Sequence, residues 1–232
     1  MNFGNIYGNT FELVPGTSEI RSKLQTPTTL GLRLGSKHAS ISTDVTALVA
    51  KIGIAAEKVQ RLAGDQTRSQ GQKHLDGRTV ARQISAEIAR TQGIVRAKAA
   101  DLNADGTALI DAVLGPQDKL NYLYSEIRQW VRQTKNAPEG LKQINEGLKE
   151  NVTIAAAIYH SPAQLMNLSK DMHISMASKC CELWAPTGWA KVNEAVAVEK
   201  FLPIYDAVTA DFHRIAYRPD AVAEAEASRV EI

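Results

Sequence analysis

Residues 101–112 read DLNADGTALIDA, and the oxygen-bearing Asp101, Asn103 and Asp105 stand at alternate positions ahead of Gly106. That is the opening of a calcium loop of the EF-hand or dockerin kind, in which every second residue turns an oxygen toward the ion and a glycine allows the sharp bend. The rest of the pattern fails. The last position of such a loop needs a bidentate Glu, and this chain has Ala112 there with Asp111 one place early. Leu109 supplies no oxygen where a further ligand belongs. Three donors leave the ion underbound, so no metal site is expected. The stretch reads better as a helix junction. A helix from Arg78 would end near Asn103, Asp105 or Thr107 would cap a short helix through Leu114, and Gly106 would relieve the turn.

Other residues able to do chemistry are dispersed. Histidines stand at 38, 74, 160, 173 and 213, none with a second ligand at zinc-like spacing. His173 and Cys180 could share a helix face, but two ligands do not close a zinc site, and the adjacent Cys181 points about 100° away on a helix. His213, beside Asp211 near a helix end, reads as a surface histidine. The residues three before the histidines are Gly35, Gly71, Ala157, Lys170 and Ala210, so the Glu-x-x-His pair of a bundle di-metal centre is absent. No GxSxG elbow, Walker-type loop or GxGxxG follows a strand pattern. Met166, Met172 and Met176 fall among Leu165 and Leu168 as core filler. The expectation is no catalytic residue, no cofactor and no enzyme.

The elements that would carry any site are helical. Val45, Leu48, Ile52, Ala55, Val59 and Leu62 step by three and four, a coiled-coil-like seam. Ser42 or Thr43 is the expected cap and Gly64 the stop. After a polar linker from Asp65 to Asp76 the spacing returns in Ile84, Ile88, Thr91, Val95, Lys98 and Leu102, then in Leu120, Leu123, Ile127, Trp130 and Thr134. Glu139 opens a helix running through Ala155, Ser161-Pro162 starts another that reaches Trp184, and a last one is expected from Ala190 to Tyr217, kinked by Pro203. Short connections favour antiparallel neighbours. The predicted fold is all-α: an antiparallel helical bundle of hairpins with coiled-coil-like seams over 43–218, an extended N-terminal arm over 1–42 and a short acidic tail over 219–232.

The first 42 residues lack a helical period and are rich in Gly, Pro, Asn, Thr and Ser. Leu30, Leu32 and Leu34 alternate as on one face of a strand, and Phe3, Ile6, Tyr7 and Phe11 could anchor the arm on a neighbour. In WAPTGW, Pro186 and Gly188 suit a tight reversal flanked by Trp184 and Trp189, either clamping a hairpin or offering an indole to a partner.

Charge is uneven. From Lys58 to Lys98 nine basic residues face three acids, a local +6 in a chain whose net charge is +2. Arg61, Arg68, Lys73, Arg78, Arg82, Arg90, Arg96 and Lys98 could track phosphates, although no aromatic is interleaved for base stacking. The alternative counterpart is an acidic protein surface, such as the tail with Asp220, Glu224, Glu226 and Glu231. The longest apolar stretch, Ile154 to Tyr159, is far short of the roughly 20 residues that span a bilayer. MNFGNIYGNT has neither a basic start nor an apolar run, and Cys180 and Cys181 are adjacent, so no secretory signal and a reducing, cytoplasmic compartment are expected. The expected function is a structural or assembly protein, a repeated subunit that contacts other copies of itself and other subunits, within that class a bacteriophage virion component (capsid-associated, connector or internal protein). A nucleic-acid-associated helical protein is the alternative, and an enzyme with a site inside the bundle a distant third.

Overall fold

A computed structural model describes residues 32, 33, 35, 37–116 and 120–228. The protein is all-α, and no strand occurs among these residues. The helices are α1 (Ser42–Gly64), α2 (Gln70–Leu114), α3 (Asn121–Thr134), α4 (Gly140–Glu150), α5 (Val152–His160), α6 (Lys170–Trp184), α7 (Pro186–Glu199), α8 (Leu202–Ala216) and α9 (Pro219–Ala227), with a 3-10 turn at Ala163–Met166. The chain divides into two compact units, one of residues up to Lys98 together with those from Ala197 on, the other of Ala99–Val196.

In the first unit the seam of α1 is buried as its spacing requires: Val45, Leu48, Ile52, Ala55 and Val59 are all core. Ile84, Ile88 and Val95 of α2 are buried with them, and polar ties fix the direction. Asp44 is bonded to Lys98 (2.6 Å), Lys51 to Glu87 (2.6 Å), and the Ala63 carbonyl to the Lys73 ammonium (3.2 Å). One number rises as the other falls, so α1 and α2 are antiparallel. The same logic makes α8 antiparallel to α2, since Ser85 meets His213 at 2.8 Å and Gln92 meets Asp206 at 3.2 Å. Tyr205, Val208 and Phe212 of α8 complete this core.

The second unit is built around α5. Ala155, Ala156, Ala157 and Ile158 are buried in succession, so this nine-residue helix is apolar on every side and must be enclosed. Helices α3, α4 and α6 pack on it. Asn151 caps α5, its Oδ1 accepting from the Thr153 and Ile154 amides, and Ser169 caps α6 by accepting from Met172.

Several sequence expectations are corrected at the boundaries. The N-cap of α1 is Ile41, with no side-chain cap; its burial in the core fixes the helix start in place of Ser42 or Thr43. Helix α2 begins at Gln70, inside the expected linker. The helix expected from Glu139 through Ala155 is two helices broken at Asn151, and the one from Ser161 is a 3-10 turn followed by α6. Pro203 does not kink a long helix. It occupies the first turn of α8, where its missing N–H costs no bond. The expected tail is largely α9, with Val222 in the core. Leu32 is helical and buried, not on a strand face. Leu30, Leu34, Phe3, Ile6, Tyr7 and Phe11 lie outside the described residues.

Candidate functional site

The calcium-like stretch lies inside α2, which passes through it without a break. Residues two positions apart on a helix are about 200° apart around its axis, so Asn103 points away from Asp101 and Asp105 and the three cannot converge on one ion. The expected junction is corrected too, since no helix ends there. Gly106 serves a different purpose. A Cβ placed on it would lie 2.8 Å from the Gly188 carbonyl oxygen, and a Cβ on Gly188 would lie 2.7 Å from that of Gly106. Helices α2 and α7 therefore cross backbone against backbone, with Asp105 joined to Lys191 at 2.9 Å beside the crossing. Gly188 belongs to α7, not to a tight reversal: α6 ends at Trp184 and α7 starts at Pro186.

The arrangement nearest to catalytic geometry has no signal in the sequence. His213 is half-buried, correcting the surface reading, with Nε2 2.8 Å from Ser85 Oγ and Nδ1 3.1 Å from the Tyr217 hydroxyl. Ser85 Oγ also lies 2.8 Å from the Ala81 carbonyl, to which it donates. With its one proton given there, Ser85 accepts from His213 Nε2–H, and Nδ1 accepts from Tyr217. The proton sits the wrong way round for an activated nucleophile, and the neighbouring helical N–H groups are committed to the α2 backbone. This is a polar tie between α2 and α8. Burial and the Arg82 charge hold the His213 pKa below its ordinary value.

His74 ties α9 to α2 in a related way. It is 2% exposed, and its Nδ1 accepts the Arg218 backbone N–H at 3.2 Å. Burial first, and then the Arg218 charge, lower its pKa. Gly71 lies against Ala225, and Arg78 is paired with Glu226. The basic segment and the acidic C-terminal segment thus meet within one chain.

Most of the candidate polyanion-binding residues are occupied. Arg68 pairs with Asp65 and Asp76, Arg90 with Glu87, and Lys98 with Asp44, while Lys73 is buried on the Ala63 carbonyl. Arg61, Arg82 and Arg96 are exposed and make no ion pair with another described residue. Cys180 and Cys181 are buried free thiols, pushed up to about 12 and about 11 by desolvation, hence poor nucleophiles and poor ligands. His173 bonds the Ile158 carbonyl through Nε2 at 3.0 Å. Trp184 donates to the Leu148 carbonyl at 2.8 Å, and both it and Trp189 are packed against the core of the second unit. Both indoles are therefore largely occupied within that unit.

What remains open is a groove along the α1–α2 hairpin. Lys51, Ile54, Lys58 and Arg61 form a row one position off the buried seam, facing Glu87, Gln83, Val80 and Asp76 of α2. Two adjoining cavities of about 210 and 410 Å³ share Lys58, Val80 and Gln83. Ion pairs cross the groove at Lys51–Glu87, and Arg68–Asp76 lies at its far end. Between them Lys58 faces Gln83 and Val80, and the acids near Arg61, Asp65 and Asp76, are paired with Arg68. Neither Lys58 nor Arg61 forms an ion pair with a described residue, and Ile54 is 56% exposed. The signal in sequence is a second row stepping by three and four beside the seam.

The class defined by these features is an all-α protein of two helical units with an amphipathic surface groove. Beyond that class, no protein-family model, no curated protein and no solved structure matches the chain. Among the described residues no three His, Cys, Asp or Glu side chains gather as metal ligands, and no helix is long and apolar enough to cross a membrane.

Proposed function

We propose that this chain is a structural or assembly protein, a subunit that contacts copies of itself and other subunits of a larger complex. The observation that carries this reading is apolar surface left in water on both units. Ile54 stands 56% exposed on the first, and Tyr122 (68%) and Ile174 (51%) on the second, where Leu109 and Val113 lie one helical turn apart and are also exposed. Contacts between subunits would remove such side chains from water, at roughly 25 cal/mol per Å² of apolar surface. The narrower reading, a bacteriophage virion component of the capsid-associated, connector or internal kind, draws on the arm expected from the sequence ahead of a helical body and on no motif. The nucleic-acid alternative draws on Arg61, Arg82 and Arg96, but the internal pairing of Arg68, Arg78, Arg90 and Lys98 leaves it few cations.

Light scattering on the full chain and on a chain lacking residues 1–31 tests the assembly reading. The deletion stops short of Leu32 because Leu32 and Ile41 belong to the core of the first unit. The expected result is a multimer for the full chain and a smaller species for the deletion. A full chain that runs as a monomer at every concentration would remove the reading.

A further inference from the structure

We propose that the α1–α2 groove is the docking site for an acidic amphipathic helix of a protein partner. The inference rests on the assembly reading and gives it a partner chemistry.

The groove has two requirements, set by different residues. Its floor, Ile54, Ala55, Val80 and Ile84, asks for apolar side chains, since covering Ile54 removes a large aliphatic group from water. Its middle asks for negative charge. At the Lys51 end the basic row of α1 meets Glu87 across the groove, but opposite Lys58 the facing row of α2 offers an amide and a valine. The acids that line the cavity near Arg61, Asp65 and Asp76, are ion-paired with Arg68, and neither Lys58 nor Arg61 forms an ion pair with a described residue. Lys58 and Arg61 are three residues apart, so two carboxylates one turn apart on a partner helix would reach both. From Lys51 to Arg61 the row is about 15 Å long at the helical rise, room for some three turns. One helix with acids on one edge and aliphatic residues beside them meets both requirements.

A nucleic-acid backbone meets only the second. It would set sugar and phosphate over an apolar floor, and no aromatic side chain lines the groove to stack a base. The chain also holds its own example of the proposed contact. Helix α9, PDAVAEAEA, lies on another part of α2, with Val222 buried, Ala225 against Gly71 and Glu226 paired with Arg78. An acidic, alanine-rich helix is thus a ligand that the basic part of α2 already accepts.

Fluorescence anisotropy on the full chain tests the proposal, with a labelled helical peptide repeating Glu-Ala-Leu-Glu-Ala-Ala as probe and a labelled mixed-sequence duplex DNA as comparison. The peptide should bind saturably and lose affinity with added salt. The double variant K58E/R61E should weaken binding about tenfold or more. Ile54→Ser should weaken it while leaving the salt dependence unchanged, and Arg96→Glu, outside the groove, should leave it as it was. All these sites are exposed or at the groove surface, and circular dichroism checks that the variants stay folded. Peptide affinity equal in K58E/R61E and the wild type would overturn the proposal, as would duplex DNA binding where the peptide does not. If the groove fails while light scattering still reports a multimer, the assembly reading stands and the partner chemistry falls. A peptide-binding monomer gives the reverse result.

Discussion

A methyl group on Gly106 would meet the Gly188 carbonyl oxygen at 2.8 Å and Val192 Cγ2 at the same distance, and neither is a freely moving side-chain end. Only a residue without a side chain lets α2 and α7 approach so closely there. Gly106→Ala should therefore destabilise the protein by about 1–3 kcal/mol despite alanine's better helix propensity. Gly93, in the same helix, has nothing within 4 Å of where a methyl would stand, so Gly93→Ala should stabilise by up to ~1 kcal/mol. Thermal unfolding of both variants reads opposite shifts; equal shifts would mean that the α2–α7 crossing relaxes freely. Sequence alone could not separate these two glycines, since both stand in helical surroundings and only the crossing distinguishes them. Read along the chain, Gly106 even resembles the hinge of an ion loop.

Helix α9 shows what an element gains by docking. As a short acidic segment it has little reason to hold a helix by itself, because nucleating the first turn is unfavourable and nine residues do not recover the cost. Val222 in the core, the Arg78–Glu226 pair and the His74 bond supply the missing stability. The His74 bond depends on pH. Its Nδ1 must be unprotonated to accept the Arg218 N–H, and in the docked state burial and Arg218 depress its pKa while Asp220 opposes them weakly. The undocked imidazole titrates near its ordinary 6.5, so docking keeps its full strength above that pH and loses it as pH falls through 6.5 toward the depressed value. Hydrogen-exchange protection of residues 219–227, corrected for intrinsic rates, should drop between about pH 7 and pH 5. His74→Asn keeps an acceptor but cannot titrate, and should flatten that dependence; an unchanged pH profile would remove His74 from the account.

At the scale of the whole molecule, the distribution of charge decides between partners. A local excess of +6 between Lys58 and Lys98 suggests phosphate binding while the chain is viewed as a line. Once folded, Asp44 and Glu226 from outside that stretch pair with Lys98 and Arg78 and offset two of the six excess charges, while Asp65, Asp76 and Glu87 hold Arg68 and Arg90 within it. Titrating the protein with duplex DNA should accordingly show only weak binding at low salt, gone near physiological ionic strength. Tight binding with a steep salt slope would favour the nucleic-acid reading.

The all-α class and the residues of the buried seams were legible from local spacing, because a helix needs no distant partner to fix its period. Val45 through Val59 and Ile84 through Val95 declare a face that way. Gly64 as the end of α1 was legible for the same reason. The remaining features came from packing. Ile41 took the helix start from Ser42 because a core position outweighs a hydroxyl cap, and α2 ran through the calcium-like stretch because α7 lies against it. Ser85 met His213 across 128 residues. The groove of Lys58 and Arg61 has its character because α2 places Gln83 and Val80 opposite Lys58, and because Arg68 takes up Asp65 and Asp76 beside Arg61. Local spacing fixes a face, but what stands across from that face is a long-range fact of packing.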